Sequence, residues 1–600
     1  MRFSDRRGLW NKISGALPTI AKNRAFIYLA LVVTFYLALS VLDAMWEFRG
    51  SHGPKATMHR LADALLFALP VWGMRRKRWL FPWIGLVTLY LLANAWYYRN
   101  YGTIMPLSSF LLVQNLPTVG ESLLLSLRRS DLVLILPPVL FMIGYAALPK
   151  AGPERENTQQ GKGSGKRPVG SRRFLGFALA LGLILLINGP RYLFARYCAA
   201  DQDPIYRNLM EPIRAIREYG FTNFWIFQLS YMKDCSPEEI EFASRFVETA
   251  ERKHPKNQLV DPHDKNLILI LVESLCSWPV NLTVDGMEVT PYLNALTRDT
   301  TVLYLPKVMP QVKDGRSSDA QLMLNTGLLP LASGATSGIY GSTNTYPSLP
   351  KALKNRGYTS ISLTCDNKTF WNQDATCRSY GFDRLYERLD NGRLRPESDQ
   401  HLFENALPIL LDTKQPFYAQ LVTFSGHDPV DTDFESSLRH SGIQNREVLN
   451  YLIITQFVDH HLGRFIERLR DSGLYDNSIL VIVGDHDSTI TRDRYENRPV
   501  RNPEDRFIPL FILNAPLSAP TDRVIAQSDL FPSLLDLMGV ADYPFHGLGE
   551  SLFRHQPDCA VDWTGTRVGN NTDDSVRQRR FEAWRVSDIL LRSDLFAGKF

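Results

Sequence analysis

The sequence predicts a two-part protein: an N-terminal α-helical membrane region of about five spans, then an α/β domain on a mainly parallel central sheet. Three observations carry this. Residues 1–200 hold several apolar stretches close to the roughly 20 residues that cross a bilayer. The C-terminal half alternates short, β-branched apolar runs with helical segments, the pattern of a parallel sheet with crossover helices. Two of those runs, Asn266–Val272 and Ser478–Gly484, are followed at once by Glu273 and by Asp485-His486. At 600 residues the chain is too long for one core. A formal charge of +5 points to no polyanionic partner.

Along the chain, residues 24–45, 61–73, 79–97, 132–148 and 174–194 read as transmembrane helices. The basic residues set an orientation. Arg2, Arg6, Arg7, Lys12 and Lys22 precede the first span, Arg75 to Arg78 separate the second from the third, and a basic linker over 150–173 separates the fourth from the fifth. With five spans all three groups face the cytoplasm, which puts the C-terminal part outside the inner membrane. Arg128-Arg129 runs against this rule, and 107–127 reads as an amphipathic helix along the outer interface. The first apolar stretch is longer than a signal-peptide core and more spans follow it, so no cleavable signal peptide is expected.

All six cysteines, Cys198, Cys235, Cys276, Cys365, Cys377 and Cys559, follow the last span, as suits an exported domain with disulfides. Proximity makes Cys365 with Cys377 the first pair to expect, and Cys276 reads as a free buried thiol. The resulting division is a transmembrane domain at 1–197, a helical connector at 198–263, a catalytic domain at 264–555 and a tail at 556–600. In the connector, 205–219 and 237–251 read as helices. Beyond it, 267–272, 360–364, 417–423, 479–483 and 509–513 read as strands, and 292–297, 318–325, 348–356, 446–472 and 530–537 as helices. The tail's Arg577 to Arg580 stretch finds no place in this scheme.

Ligands of open α/β sheets gather beyond the carboxyl ends of the strands. Glu273, Asp485 and His486 therefore read as ligands converging on one metal. The polar turn Lys313-Asp-Gly-Arg-Ser-Ser-Asp319 reads as the source of a hydroxyl for that metal. Asp459 lies in a helical stretch beside His460 and His461. Adjacent helix positions face different ways, which argues for solvation or packing there. Asp529 reads as a helix cap.

The order of these motifs resembles the alkaline phosphatase and sulfatase superfamily, and within it the lipoteichoic acid synthase-like phosphoglycerol transferases. Residues 266–274 resemble the family's first strand with its metal-binding Glu, and Thr290-Pro-Tyr-Leu293 its Thr-Pro-Asn-Leu element. Arg316-Ser-Ser-Asp319 falls where the family has its nucleophile, and Gly484-Asp-His-Asp487 matches its second metal-binding pair. Asp366 to Trp371 is similar to the head-group pocket, and Gln527 to Leu535 to a late Asp-Leu-Pro-Thr-Leu-Leu element.

The resemblance implies a sulfatase-like fold and a metal, manganese first with magnesium or zinc as alternatives, held by Glu273, Ser317, Asp485 and His486. It implies Ser317 as nucleophile where family members usually have Thr, with Ser318 adjacent. His427, in Thr423-Phe-Ser-Gly-His-Asp-Pro429, is similar to the histidine that touches the transferred phosphate. Arg316, Asp366 and Trp371 become substrate contacts, and Lys313 a further phosphate contact. Gln373 stands where the family commonly has Arg. The Cys/Ser-x-Pro-x-Arg context of sulfatases is missing after Ser317, which disfavours sulfate ester hydrolysis.

The expected activity is transfer of an alcohol-phosphate head group, glycerol phosphate first, from a phospholipid donor to an envelope glycan or growing polymer. A phosphoethanolamine transferase is the enzyme alternative, and a catalytically silent envelope-glycan-binding membrane protein the non-enzyme one. Nucleic acid is not an expected partner, because the basic runs sit beside membrane spans.

Overall fold

A computed structural model of the chain describes residues 23–46, 53–74, 76–115, 127–148, 169–197, 204–262, 264–390, 396–428, 432–554 and 557–600. They divide into two compact units: Met1–Met105 with Ser126–Met232, and Pro106–Leu125 with Lys233–Phe600. The N-terminal basic cluster, Arg75, most of the basic linker and Cys198 lie outside the described residues.

The first unit is helical. Arg24–Met45, Leu80–Tyr101 and Arg173–Tyr197 are each long and apolar enough to cross a membrane. The other two expected spans are shorter helices. Pro54–Ala68, running into the single turn Leu69–Trp72, has 15 residues, and Asp131–Ala147 has 17. At 1.5 Å per residue both are shorter than the ~30 Å hydrocarbon layer. The first also buries His59, Arg60 and Asp63, which lowers its apolarity. Asp63 accepts from the backbone N–H groups of Phe221 and Thr222, each at 2.9 Å. That approach requires Gly220, whose φ is 81° and whose Cβ, if present, would lie 3.0 Å from Asp63 Oδ2.

The second unit is built on an eight-stranded sheet. The strands are β1 (Asn266–Val272), β4 (Leu303–Met309), β5 (Thr359–Thr364), β6 (Arg384–Tyr386), β7 (Phe417–Val422), β8 (Ser478–Gly484), β9 (Ile508–Leu513) and β10 (Ile525–Ala526), with β2 (Thr283–Val284) and β3 (Met287–Glu288) forming a separate hairpin. Their order is β10-β4-β9-β8-β1-β7-β5-β6. Every pairing is parallel except those of β9 with β4 and β8. β1, β7, β8 and β9 are buried at every position, which is why they read as unbroken apolar runs. One core layer joins Ile268 and Ile270 of β1 to Phe465 and Leu469 of the long helix Arg446–Asp471 and to Phe403 of Ser398–Asp412.

Register positions the chemistry. β1 and β8 pair with Val272 opposite Gly484, so Glu273 and Asp485 leave adjacent strands at the same level. β7 pairs with β1 on the other side, Val422 opposite Leu271, and brings Thr423 to that edge.

Cys365 and Cys377 do not form the expected disulfide. Cys235, Cys276, Cys365, Cys377 and Cys559 are all free thiols. The Cys365 Sγ donates to the Ser398 carbonyl at 3.3 Å, and Cys377 packs beside Gln373 on its own helix. Both are buried core side chains, and nearness in sequence did not orient them toward each other. Cys276 is a buried free thiol, as expected.

The tail's Arg577 to Arg580 stretch lies in a 20-residue helix, Asp574–Ser593. That helix buries Trp584, Ile589 and Leu591 and places Arg580 Nη1 3.0 Å from Asp529 Oδ1, both side chains being buried.

Candidate active site and metal centre

The site gathers at the carboxyl edge of the sheet. Glu273 follows β1, Asp485 and His486 follow β8, His427 lies in the turn after β7, and Asp366 follows β5. Ser317 is the first residue of the helix Ser317–Thr326, after β4. Residues 318–326 of this helix are all buried, so the helix end is held rigidly where it meets the strands.

Glu273, Asp485 and His486 are buried and offer ligand atoms that all lie within 4.8 Å of one another. His486 Nε2 is 3.4 Å from Glu273 Oε1 and 3.5 Å from Asp485 Oδ2. Ser317 joins them. Its hydroxyl donates to Glu273 Oε2 at 2.9 Å and lies 3.3 Å from His486 Nε2. Ser318 faces elsewhere, its hydroxyl donating to the Gly315 carbonyl at 2.7 Å and accepting from Ser337.

Two neighbours orient the carboxylates. Ser274, at φ 56°, donates its N–H to Asp485 Oδ1 at 2.8 Å and its hydroxyl to Glu273 Oε1 at 2.8 Å. Thr423 Oγ1 accepts from the Glu273 N–H at 2.9 Å. On the β8 side, Gln527 Nε2 donates to the Asp485 carbonyl at 2.6 Å. Burial pushes the Glu273 carboxyl up to about 7 and raises Asp485 well above its usual range, with Glu273 adding repulsion. His486 is held neutral by the same burial and by Arg316.

These residues fit a divalent cation. Two crowded, buried carboxyls need compensating positive charge, and Asp485 Oδ2 is enclosed without a hydrogen-bond partner. The mix of carboxylate, imidazole and hydroxyl donors suits manganese, magnesium or zinc. Ligation through His486 Nε2 requires the ring proton on Nδ1, and the Asp487 carbonyl, 3.0 Å away, accepts it. Asp487 is anchored in turn by Arg501 Nη2 at 2.6 Å and Arg506 Nε at 3.0 Å, which hold its carboxyl well below the usual carboxylate range despite burial.

Arg316 lies at the rim, its Nη2 2.8 Å from the Asp487 carbonyl and 3.1 Å from His486 Nδ1. His427 is lowered from its ordinary value chiefly by burial; its Nδ1 is enclosed without a partner and its ring stacks on Phe424. Asp366 is pushed up to about 7 by burial and by Asp390, with Oδ1 unpartnered.

Other expected contacts go elsewhere. Lys313 Nζ donates to the Ala332 carbonyl at 2.9 Å. Trp371 is 8% exposed, in an apolar cluster with Ala335 and Phe370. Gln373 is buried and donates to Gln321 Oε1 at 2.6 Å. Asp459 accepts from the N–H groups of Tyr292 and Leu293 at 2.9 and 2.8 Å, holding the start of the helix Pro291–Arg298, a structural part as expected. Asp529 precedes its helix without capping it through the side chain; Oδ2 accepts from the Ala526 N–H and Oδ1 from Glu550, beside Arg580.

Sequence reasoning missed Ser274, Thr423, Gln527 and the pair Arg501 and Arg506. Thr423 was within reach of the strand-end rule already applied to Glu273. Ser274 adjoins Glu273 and was within reach as its neighbour, whereas Gln527, Arg501 and Arg506 carry no local signal, because their partners are distant in the chain.

Comparison with known proteins agrees with both halves. Residues 265–540 match the sulfatase family model, and residues 19–228 match the lipoteichoic acid synthase N-terminal domain. Lipoteichoic acid synthase 1 of Bacillus subtilis (strain 168) is 25% identical over 507 residues, covering 79% of this chain and 75% of that protein. Lipoteichoic acid synthase of Staphylococcus saprophyticus is 26% identical over 517 residues, covering 82% and 77%. Among solved structures, the integral membrane protein lipooligosaccharide phosphoethanolamine transferase A from Neisseria meningitidis shares the fold with a TM-score of 0.52 at 15% identity, over 87% of this chain and 96% of that one. The chain belongs over residues 265–540 to the sulfatase family and over residues 19–228 to the lipoteichoic acid synthase N-terminal domain family, and it is a transferase.

Proposed function

We propose that this transferase moves glycerol phosphate from phosphatidylglycerol, through a phosphoseryl ester at Ser317, to an envelope glycan or growing polymer. The observation that carries the proposal is the half-buried Ser317 hydroxyl at the start of a buried helix, between Glu273 Oε2 at 2.9 Å and His486 Nε2 at 3.3 Å. A divalent cation held by Glu273, Asp485, His486 and Ser317, manganese by family likeness, would supply the Lewis acidity that makes this hydroxyl a nucleophile at neutral pH.

Ser317 Oγ forms a bond to phosphorus as the bond from phosphorus to the diacylglycerol oxygen breaks. The diacylglycerol leaves as the alcohol, so the proton lost by serine is balanced. An acceptor hydroxyl then attacks the ester and Ser317 regains its proton. His427, kept neutral by burial, suits an N–H donor to a phosphate oxygen better than a fixed cation. Arg316 supplies the fixed positive charge at the rim. Asp366 and Trp371 are assigned to the head-group side, after β5.

In this reading the chain passes the inner membrane five times, with the two shorter helices included, and the catalytic unit lies outside the cytoplasm. The distribution of Lys and Arg supports that orientation. Gln373, a neutral amide tied to Gln321 where the family commonly has a cation, keeps phosphatidylethanolamine as the second donor to test.

The test is diacylglycerol release by full-length protein in vesicles with manganese, from phosphatidylglycerol and from phosphatidylethanolamine, for wild type and Ser317→Ala. Release from phosphatidylglycerol that disappears in the variant is expected. Release only from phosphatidylethanolamine replaces the head group with the alternative. No release from either lipid with metal bound overturns the proposal.

A further inference from the structure

The short helical segment Leu107–Asn115 belongs to the first half of the sequence, six positions beyond Tyr101, yet it is part of the second unit. It packs beside the expected head-group region. Leu112 sits against Ala335, Phe370 and Trp371, three buried side chains from two separate loops of the catalytic domain.

The seat is shaped for it. A Cβ on Gly334 would lie 2.1 Å from Ser108 Oγ, and a Cβ on Gly338 would lie 2.6 Å from Leu112 Cδ2. Both clashes are far inside van der Waals contact, so the bare backbone at these positions admits a segment more than 200 residues earlier in the chain. The wall is also conformationally unusual where it meets Leu112, because Trp371 itself adopts φ 49°.

The opposite side of the segment is apolar and open. Phe110, Leu111 and Val113 are 62%, 56% and 60% exposed, with no basic or acidic residue between Leu107 and Asn115. Three large apolar side chains in four consecutive positions form a surface that water disfavours. The sequence says what covers it. The segment follows the membrane-spanning candidate Leu80–Tyr101 by only five intervening residues, a reach of about 20 Å at full extension. Tyr97, Tyr101 and Trp96 at that helix end are the residue types of a membrane interface.

We propose that Leu107–Val113 is a two-faced strap, seating Leu112 against the Trp371 wall and inserting Phe110, Leu111 and Val113 among the acyl chains of the outer leaflet. The strap holds the head-group side of the site at lipid depth, so that a phospholipid donor presents its phosphate while its chains stay in the bilayer. This rests on the membrane-anchored, extracytoplasmic reading above.

The test reads contact and leaves turnover aside. Full-length protein carrying a benzophenone side chain at position 110 or at position 112 is reconstituted in vesicles of phosphatidylglycerol and phosphatidylcholine and illuminated. Position 110 should cross-link to lipid and position 112 to the peptide containing Ala335 or that containing Phe370 and Trp371, in wild type and in Ser317→Ala alike. Cross-linking of position 110 to protein, or of position 112 to lipid, overturns the strap whatever the enzyme's substrate proves to be. In a parallel assay, Leu112→Asp should lower turnover of vesicle lipid at least tenfold while manganese binding at the Glu273 site stays within twofold. Unchanged turnover would show that the seat has no bearing on donor access.

Discussion

The hydroxyl of Ser317 donates to Glu273 Oε2 at 2.9 Å across 44 positions of sequence, while Ser318, one residue on, is tied into its own loop through the Gly315 carbonyl. The two serines are chemically alike and separated by their surroundings alone. Ser317→Ala should lower head-group transfer by at least about 1,000-fold, as expected for loss of a nucleophile. Ser318→Ala removes a buried hydrogen bond and should leave transfer within about tenfold, with about 1 kcal/mol lost in stability. Diacylglycerol release and thermal melts of the same preparations separate the two effects.

Arg506 acts on the candidate metal centre at one remove. It fixes Asp487, whose carbonyl accepts from His486 Nδ1 and from Arg316. Arg506→Met should weaken manganese affinity by about 10- to 100-fold. Titration calorimetry on the full chain checks this, and excess manganese should recover part of the lost turnover. Recovery would be absent if Arg506 served only packing.

The ion pair between Arg580 and Asp529 closes the helix Asp574–Ser593 onto the catalytic fold. Arg580→Ala leaves a buried carboxylate without its partner and should destabilise the second unit by about 3–5 kcal/mol. The double variant Arg580→Met with Asp529→Asn should recover part of that loss. Denaturant titration of the full chain in detergent measures both.

His254 stacks on His546, which is itself hydrogen-bonded to Glu251 at 2.7 Å. Burial, then His546 and Arg554, lower His254 from 6.5 to about 4, with Asp536 and Glu251 opposing. The unfolded chain therefore binds the proton more tightly, so this contribution to stability is present above pH 6.5 and is lost as pH falls toward 4. Because the ring is only half-buried, the loss should be about 1 kcal/mol. His254→Phe should remove it, so the melting temperature of the variant falls by less than that of wild type between pH 7 and pH 4.5.

Strand β1, strand β8 and the residues that end them were readable from the chain because a strand buried on both faces must be apolar throughout. A polar residue placed directly after such a run stands out. The same rule identified Glu273, Asp485 and His486, and the family likeness added Ser317, Arg316 and His427. Strands β4 and β6 escaped notice because half-buried or short strands carry weaker patterns, and the antiparallel setting of β9 leaves no trace in composition.

The disulfide expectation failed for a related reason, since spacing between Cys365 and Cys377 carries no information about the direction of their side chains. Asp529, Arg580, Gln527 and Leu112 owe their roles to partners that sequence order does not announce. Local periodicity and residue chemistry depend on neighbours a few positions away, so long apolar helices, buried strands and the acidic and imidazole residues that end them could be read directly. Which strand lies beside which, which of two serines faces the carboxylates, and which loop receives Leu112 depend on contacts across scores or hundreds of residues. Those are settled when side-chain volumes and hydrogen bonds must all be satisfied in one packed arrangement.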